Sequence, residues 1–378
     1  MKTKPMTKFA ILALSLVLVA CAGGGSEEAG CPAIDGREIN VVATTPMIGE
    51  FVSQVGGENI NLTVLMPPEA NPHTYEPAPQ DAGTIAEADL VFYTGLLYEP
   101  AALVKLLENS ACSTDILSEV GESVFPIEFK EGGHDDHDDH DDHDDHDDHD
   151  DEKDHDDEEG HDDHDDEEGH DDHDDEEGHD DEEGHDDHDD EEGHDDHEGH
   201  NHGAYDPHFW FDPSRVAYAA EYIESRLIQF DPENESSYIS SADSFVSELN
   251  DLTKQVSELI STVPSQNRKL ITTHESLGYL EAKFGLEVLS TIIPSLNSAN
   301  EISPSDLAGV IDVIEDNNVK VIFIESEAPS VYSETIVAET GIKSVTGLYV
   351  ETLKPGQSYS EFLISNVKLI TENLQDTD

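Results

Sequence analysis

Residues 134–202 contain no apolar side chain, so this stretch cannot bury a hydrophobic core. It repeats His-Asp-Asp triplets and longer units such as HDDHDDEEG, with 43 acidic residues against one lysine. A chain of this composition is expected to stay disordered, because it buries nothing that would offset the entropy lost on folding. The tract therefore separates the foldable chain into residues 31–133 and residues 203–378.

The first 30 residues predict a location outside the cytoplasm. Three early lysines precede an uncharged apolar run, Phe9–Ala20, which is shorter than the roughly 20 residues of a membrane span. The sequence LVAC at 18–21 resembles the bacterial lipobox, which implies cleavage before Cys21 and a lipid on that cysteine. We expect a signal peptide over 1–20, a flexible tether over 21–30, and a protein anchored to the outer face of the membrane. The alternative is an ordinary signal peptide with an incidental cysteine.

Cys31 and Cys112 are the two cysteines left in the exported chain. Outside the cytoplasm they can form a disulfide, and closing so long a loop would restrict the unfolded chain. The alternative is two separate thiols.

The charge excludes nucleic acid as a partner and favours cations. The formal net charge is −72, and the segments outside the tract are acidic too. Phosphate contacts require clustered lysine and arginine.

On both sides of the tract, short apolar strands alternate with helical patterns. We predict strands over 39–45, 61–66 and 90–93, with 124–129 as a candidate fourth strand, and further alternation after residue 263. This order is typical of parallel sheets covered on both faces, which bind ligands at the carboxyl ends of their strands. A long helical pattern over 232–262 is a candidate connector.

The predicted fold is α/β, with two Rossmann-like lobes joined by this connector helix and a metal site in the cleft between them. The N-terminal lobe comprises residues 31–133 and 203–231, and the C-terminal lobe comprises residues 263–378.

Only three of the 21 histidines lie outside the tract, namely His73, His208 and His274. Each stands in a loop or at a junction between a strand and a helix, in the segments NPHTY, DPHFW and THES. Neutral imidazole is the commonest protein ligand of Zn²⁺, and three imidazoles with one oxygen complete a tetrahedral site. The three positions therefore predict a transition-metal site.

Several segments together resemble the zinc and manganese solute-binding proteins of ABC importers. The resemblance covers residues 38–375 and is carried by VVATTPMIGEFVSQVGG, LMPPEANPHTYEPAPQDAGTIAEADLVFYTG, DPHFWFDP, THESLGYLEAKFGL, ISPSDLAGVIDVIEDNNVKVIFIES and LYVETL. It implies that the three histidines bind the metal. It also implies that the protein, a monomer, delivers its cargo to a permease and its ATPase.

The resemblance also bears on which metal is bound and on the fourth ligand. Manganese members place a carboxylate where His274 stands, so His274 favours Zn²⁺, with Mn²⁺ as the alternative. Members commonly carry an aspartate where this chain has Glu351, and the alternatives to Glu351 are Glu325 or a water molecule.

Zinc members of this family often carry a similar acidic insert ahead of the DPH segment. We expect the tract to bind additional metal weakly, beginning with His134, His137, His140, His143, His146 and His149. The alternative is a solvated run of charge.

Two other classes of function compete with transport. A zinc hydrolase is disfavoured, because His274-Glu275 lacks the second histidine of an HExxH helix and no GxSxG or phosphate loop is present. We therefore expect a protein that is not an enzyme. A zinc buffer or an adhesin-like surface protein would explain the tract, but not the three placed histidines.

Overall fold

The structure is a computed structural model that describes Cys31, Ile34 and residues 36–129, 205–293, 303–326 and 331–375. The predicted signal peptide, tether, lipidated Cys21 and acidic tract, with its six named histidines, lie outside the described residues.

The N-terminal lobe is built on a parallel sheet in the order β2-β1-β3-β4. In register, Val41 of β1 pairs with Leu62 on one side and with Leu90 on the other. Its elements are β1 Ile39–Ala43, α1 Pro46–Gly56, β2 Ile60–Val64, α2 Pro79–Ala86, β3 Leu90–Tyr93, α3 Ala101–Ser110, β4 Leu117–Glu119 and, beyond the tract, α4 Pro213–Phe230.

The fourth strand was predicted wrongly. It lies at Leu117–Glu119, beside β3, and not over 124–129. Phe125 has a left-handed backbone with φ of 53°, which interrupts an extended run there. Further on, Glu128 makes only an isolated antiparallel bridge to Tyr205.

The C-terminal lobe contains two parallel strand pairs, β5 with β6 and β7 with β8. Its elements are β5 Lys269–Thr272, α6 Gly278–Phe284, β6 Glu287–Thr291, α7 Pro304–Asp316, β7 Val321–Glu325, α8 Val331–Thr340, β8 Lys343–Leu348 and α9 Tyr359–Gln375.

The connector is α5, Glu235–Ser261, whose 27 residues span about 40 Å at 1.5 Å per residue. It starts slightly later than the predicted 232, because Pro232–Asn234 form a 3-10 turn. Its apolar residues recur every three or four positions and are buried against α1, α4 and α9. The helix therefore joins the cores of both lobes.

Apolar side chains cover both faces of the N-terminal sheet. Alternate residues of β1 and β3 enter different clusters, since Val42 and Val91 pack on one face while Val41 and Phe92 pack on the other. The cluster containing Val41 continues through α5 into the C-terminal lobe. A separate cluster around Ile271 and Ile322 packs in the C-terminal lobe.

Two further features concern the chain outside the site. Cys31 and Cys112 are joined by a disulfide, with Cα atoms 5.0 Å apart. Among the described helices, none combines the length and apolarity needed to cross a membrane.

Candidate metal centre

The structure brings His73, His208, His274 and Glu351 together, with their candidate ligand atoms all within 4.8 Å of one another. His73 lies in a 3-10 turn after β2, and His208 immediately precedes another turn before α4. His274 follows β5, and Glu351 follows β8. Each lobe thus supplies two of the four side chains, at loops that follow strands or precede helices.

The histidines surround one carboxylate oxygen. Oε1 of Glu351 lies 3.2 Å from Nε2 of His73, 3.4 Å from Nε2 of His208 and 2.9 Å from Nε2 of His274. A tetrahedral zinc ion with bonds of about 2.1 Å has ligand atoms about 3.4 Å apart. The spacing and the donor set therefore fit a single transition-metal ion.

All four side chains are buried, with exposed fractions of 6% for His73, 2% for His208, 4% for His274 and 0% for Glu351. None of the three Nε2 atoms makes a hydrogen bond of good geometry with a described residue. Buried polar atoms are normally satisfied, so three such nitrogens facing one point indicate a place for a cation.

A carboxylate orients His208 from behind. Oδ1 of Asp206 lies 2.7 Å from Nδ1 of His208 and accepts a hydrogen bond from the backbone N–H of His208 at 2.8 Å. This contact keeps a proton on Nδ1, so that the lone pair of Nε2 is directed at the centre once the imidazole is neutral. Sequence reasoning quoted Asp206 in the DPH segment and assigned it no role. The sequence did contain a signal for this role. An aspartate two residues before a candidate ligand can accept a hydrogen bond from the backbone N–H of that ligand.

Glu325 does the same for His274. Its Oε2 lies 2.5 Å from Nδ1 of His274, while Oε1 accepts hydrogen bonds from the backbone N–H of His274 and the hydroxyl of Ser276, both at 3.2 Å. Glu325 therefore lies behind His274. Of the two glutamates that the sequence offered as the fourth ligand, Glu351 is the one that faces the three histidines. A charged residue closing the buried strand β7 was the signal in the sequence.

His73 is held differently. Its backbone N–H donates to Oδ1 of Asn71 at 2.9 Å. Its Nδ1 has no hydrogen-bond partner among the described residues. The Tyr98 ring packs against the imidazole in a T-shaped arrangement, with centroids 5.1 Å apart. Packing against Tyr98 and the turn at Asn71 thus set the orientation of this imidazole.

Tyr98 connects the lobes at the site and was missed by sequence reasoning. Its hydroxyl lies 2.9 Å from Oε2 and 3.0 Å from the backbone oxygen of Glu351. The contact joins residues 253 positions apart, so no local sequence pattern could indicate it.

Charges within the site shift the pKa values of its members. Burial lowers the pKa of His208, but the negative charges of Glu351 and Asp206 outweigh it and raise that pKa to about 9. Burial likewise lowers the pKa of His274, and Glu325 and Glu351 raise it to about 10. Burial raises the pKa of Glu351, yet the charges of His73 and His208 bring it well below its usual value. A metal ion entering this cluster must displace protons.

Comparisons with known proteins cover most of the chain. A family model described as "ZnuA: Zinc-uptake complex component A periplasmic" matches residues 41–373. The manganese-binding lipoprotein MntA of Halalkalibacterium halodurans is 20% identical over 95% of this chain and 94% of its own length. The manganese ABC transporter substrate-binding lipoprotein PsaA of Streptococcus anginosus is 24% identical over 98% and 99%.

Solved structures show the same two-lobed fold. The periplasmic zinc binding protein TroA from Treponema pallidum superposes with a TM-score of 0.64 at 19% identity, covering 89% of this chain and 99% of TroA. Fe(III)-bound YtgA from Chlamydia trachomatis gives 0.63 at 22% identity, covering 89% and 98%.

Proposed function

Because this chain belongs to the family of zinc-uptake complex component A proteins, we propose that it captures Zn²⁺ outside the cytoplasm and delivers it to an ABC importer. The convergence of three imidazole nitrogens and the Glu351 carboxylate on one buried point supports this proposal most directly. PsaA and its streptococcal counterparts are named as substrate-binding lipoproteins of ABC transporters. On this basis the protein has no catalytic role and works with a permease and an ATPase.

The donor set favours Zn²⁺ as the cargo. Three nitrogens and one oxygen suit the tetrahedral coordination of Zn²⁺, whereas Mn²⁺ prefers sites rich in oxygen ligands. Mn²⁺ is the second candidate, because MntA and PsaA are named as manganese-binding proteins.

Competitive titration of a variant lacking residues 134–202 with Zn²⁺ and Mn²⁺, beside the same titration of His274→Glu, tests this choice. Protein sites in general bind Zn²⁺ more tightly than Mn²⁺, so the change in the affinity ratio between the two proteins is the informative result. We expect tighter binding of Zn²⁺, with one ion per protein. In His274→Glu the ratio of Zn²⁺ to Mn²⁺ affinity should fall, because one nitrogen ligand is replaced by oxygen. An unchanged ratio, or preferred binding of Mn²⁺ by the parent site, would contradict the assignment.

The acidic tract is proposed to collect metal for this site. Its histidines, including His134, His137, His140, His143, His146 and His149, stand among carboxylates that attract cations at low salt. Compared with the full chain, the variant lacking the tract should lose several weak sites and keep the tight one. Loss of the tight site would mean that the tract supplies its ligands.

Lipid on Cys21 is proposed to keep the protein at the outer face of the membrane, where it meets the permease.

A zinc buffer without a transport partner is the competing function. Zinc uptake by cells that carry the His208→Ala variant separates the two, since transport requires the site and uptake should fall to the level of a deletion strain. Normal uptake in both strains would favour the buffer.

A further inference from the structure

Tyr279 in α6 is buried, and its hydroxyl bonds two backbone groups of the other lobe. The hydroxyl donates to the carbonyl oxygen of Asp206 at 2.9 Å and accepts from the N–H of Ile127 at 3.2 Å. Ile127 and Asp206 also bond each other, since the N–H of Asp206 donates to the carbonyl of Ile127 at 2.9 Å. One side chain of the C-terminal lobe thus joins a pair of segments in the N-terminal lobe.

This pair of segments leads directly to a metal-facing histidine. The antiparallel bridge between Glu128 and Tyr205 lies next to the bonded pair of Ile127 and Asp206. The Asp206 carboxylate in turn orients His208 through its Nδ1. Movement of the Asp206 backbone would therefore move the carboxylate and the imidazole with it.

Gly278, the residue before Tyr279, allows α6 to come this close. A Cβ at this position would lie 2.6 Å from Oδ2 of Asp206, well inside van der Waals contact. The Asp206 side chain is 2% exposed, so it has little room to retreat. Gly278 thus leaves room for the Asp206 side chain, and Tyr279 bonds the Asp206 backbone.

We propose that Tyr279 is a positioning residue for metal binding, which acts on His208 through the backbone of Asp206. The inference rests on the proposed function of the site as a metal-binding centre. It adds that the C-terminal lobe sets the geometry of a ligand that the N-terminal lobe supplies.

Tyr279→Phe removes the hydroxyl and keeps the ring, and Tyr238→Phe is the matched control. The hydroxyl of Tyr238 is also buried and donates to Oδ2 of Asp231 at 2.6 Å, outside the metal centre. Tyr279→Phe loses two buried hydrogen bonds and Tyr238→Phe loses one, so both variants should lose thermal stability. Stability alone therefore does not distinguish a positioning role from a structural one.

The distinguishing measurements are Zn²⁺ affinity and the visible absorption of the Co²⁺-loaded protein. In Tyr279→Phe we expect affinity to fall about tenfold, the lower end of the range for groups that orient metal ligands. The Co²⁺ spectrum should change as well, because the ligand geometry changes. Tyr238→Phe should keep the parent affinity and spectrum. Parent-like values in Tyr279→Phe, or equal changes in both variants, would overturn the inference.

Gly278→Ala tests the same contact from the other residue and guards against a fold defect in Tyr279→Phe. The added methyl group presses on Asp206, so the Co²⁺ spectrum should change here too, and a parent-like spectrum would count against the inference. A parent protein that binds neither Zn²⁺ nor Co²⁺ would overturn the proposed function as well. Binding by the parent with parent-like variants would overturn the inference alone.

Discussion

The two lobes orient their metal-facing histidines by contacts of very different range. In the N-terminal lobe, His208 is held by Asp206 and the backbone of His73 by Asn71, each only two residues away. In the C-terminal lobe, His274 is held by Glu325, which is 51 residues further along and closes a different strand.

This difference shows that the residue bonding each N-terminal histidine directly lies in a local turn, while the carboxylate that holds His274 reaches it only in the assembled lobe. A turn that spans two residues forms without the rest of the sheet. The contact between Glu325 and His274 exists only when the ends of β5 and β7 lie side by side. Damage to the C-terminal core should therefore disturb His274 before it disturbs His208.

Glu351 stands outside this division because all three histidines face its Oε1, so its removal should have the largest effect. We expect Glu351→Ala to weaken Zn²⁺ binding by more than about 100-fold, beyond the 10- to 100-fold cost of removing a group that merely orients a ligand. Titration of the variant lacking the tract measures this.

Glu372→Ala, which removes an exposed carboxylate of α9, is the control and should bind like the parent. Equal affinity in Glu351→Ala would mean that another group completes the site.

The variants Asp206→Asn and Glu325→Gln compare two carboxylates that hold a histidine. Asp206 lies two residues from His208, and Glu325 lies 51 residues from His274. Both should lower Zn²⁺ affinity by about 10- to 100-fold, because each removes the charge that raises the basicity of a histidine. Glu325→Gln should also lower the midpoint of thermal unfolding more, since Glu325 accepts a hydrogen bond from Ser276 in addition to the contacts with its histidine that both carboxylates make.

Affinity and unfolding measurements on the two variants, with the exposed Glu287→Gln as control, test this comparison. A larger loss of stability in Asp206→Asn would reverse the assignment of local and long-range support.

The smallest effect concerns pH. The pKa values of His208 and His274, about 9 and about 10, lie above the ordinary value of 6.5. Folding of the metal-free protein therefore favours the protonated imidazoles. The resulting stabilisation is complete below about pH 6.5 and is lost as the pH rises through 9 and 10. The unfolding midpoint of the metal-free protein should fall over this range, while Zn²⁺ affinity rises as protons stop competing.

Thermal unfolding between pH 6 and 10, with and without Zn²⁺, measures both trends. The Zn²⁺-loaded protein should lack the decline, and a flat profile for the metal-free protein would contradict the role of the two imidazolium groups.

Much of the fold could be predicted from periodicity alone. The apolar stripe predicted a long helix over 232–262, and the structure has α5 there. The fourth strand was misplaced because Val124–Phe129 is apolar enough for a strand. Its left-handed turn at Phe125 depends on packing and on Arg215, which donates to the carbonyl oxygens of Val124 and Phe125.

The sequence by itself determined which residues could face a metal. Only three histidines lie outside the acidic tract, and each stands in a loop or at a junction next to a strand or helix. Tertiary structure alone decided the rest. It brought Glu351 to face the histidines and Glu325 to hold His274. It also placed Tyr98 and Tyr279 where they connect the two lobes around the metal centre. The physical reason is distance along the chain. These contacts join residues 51 to 253 positions apart, and no short-range pattern records which of several buried carboxylates the folded sheets will bring to one point.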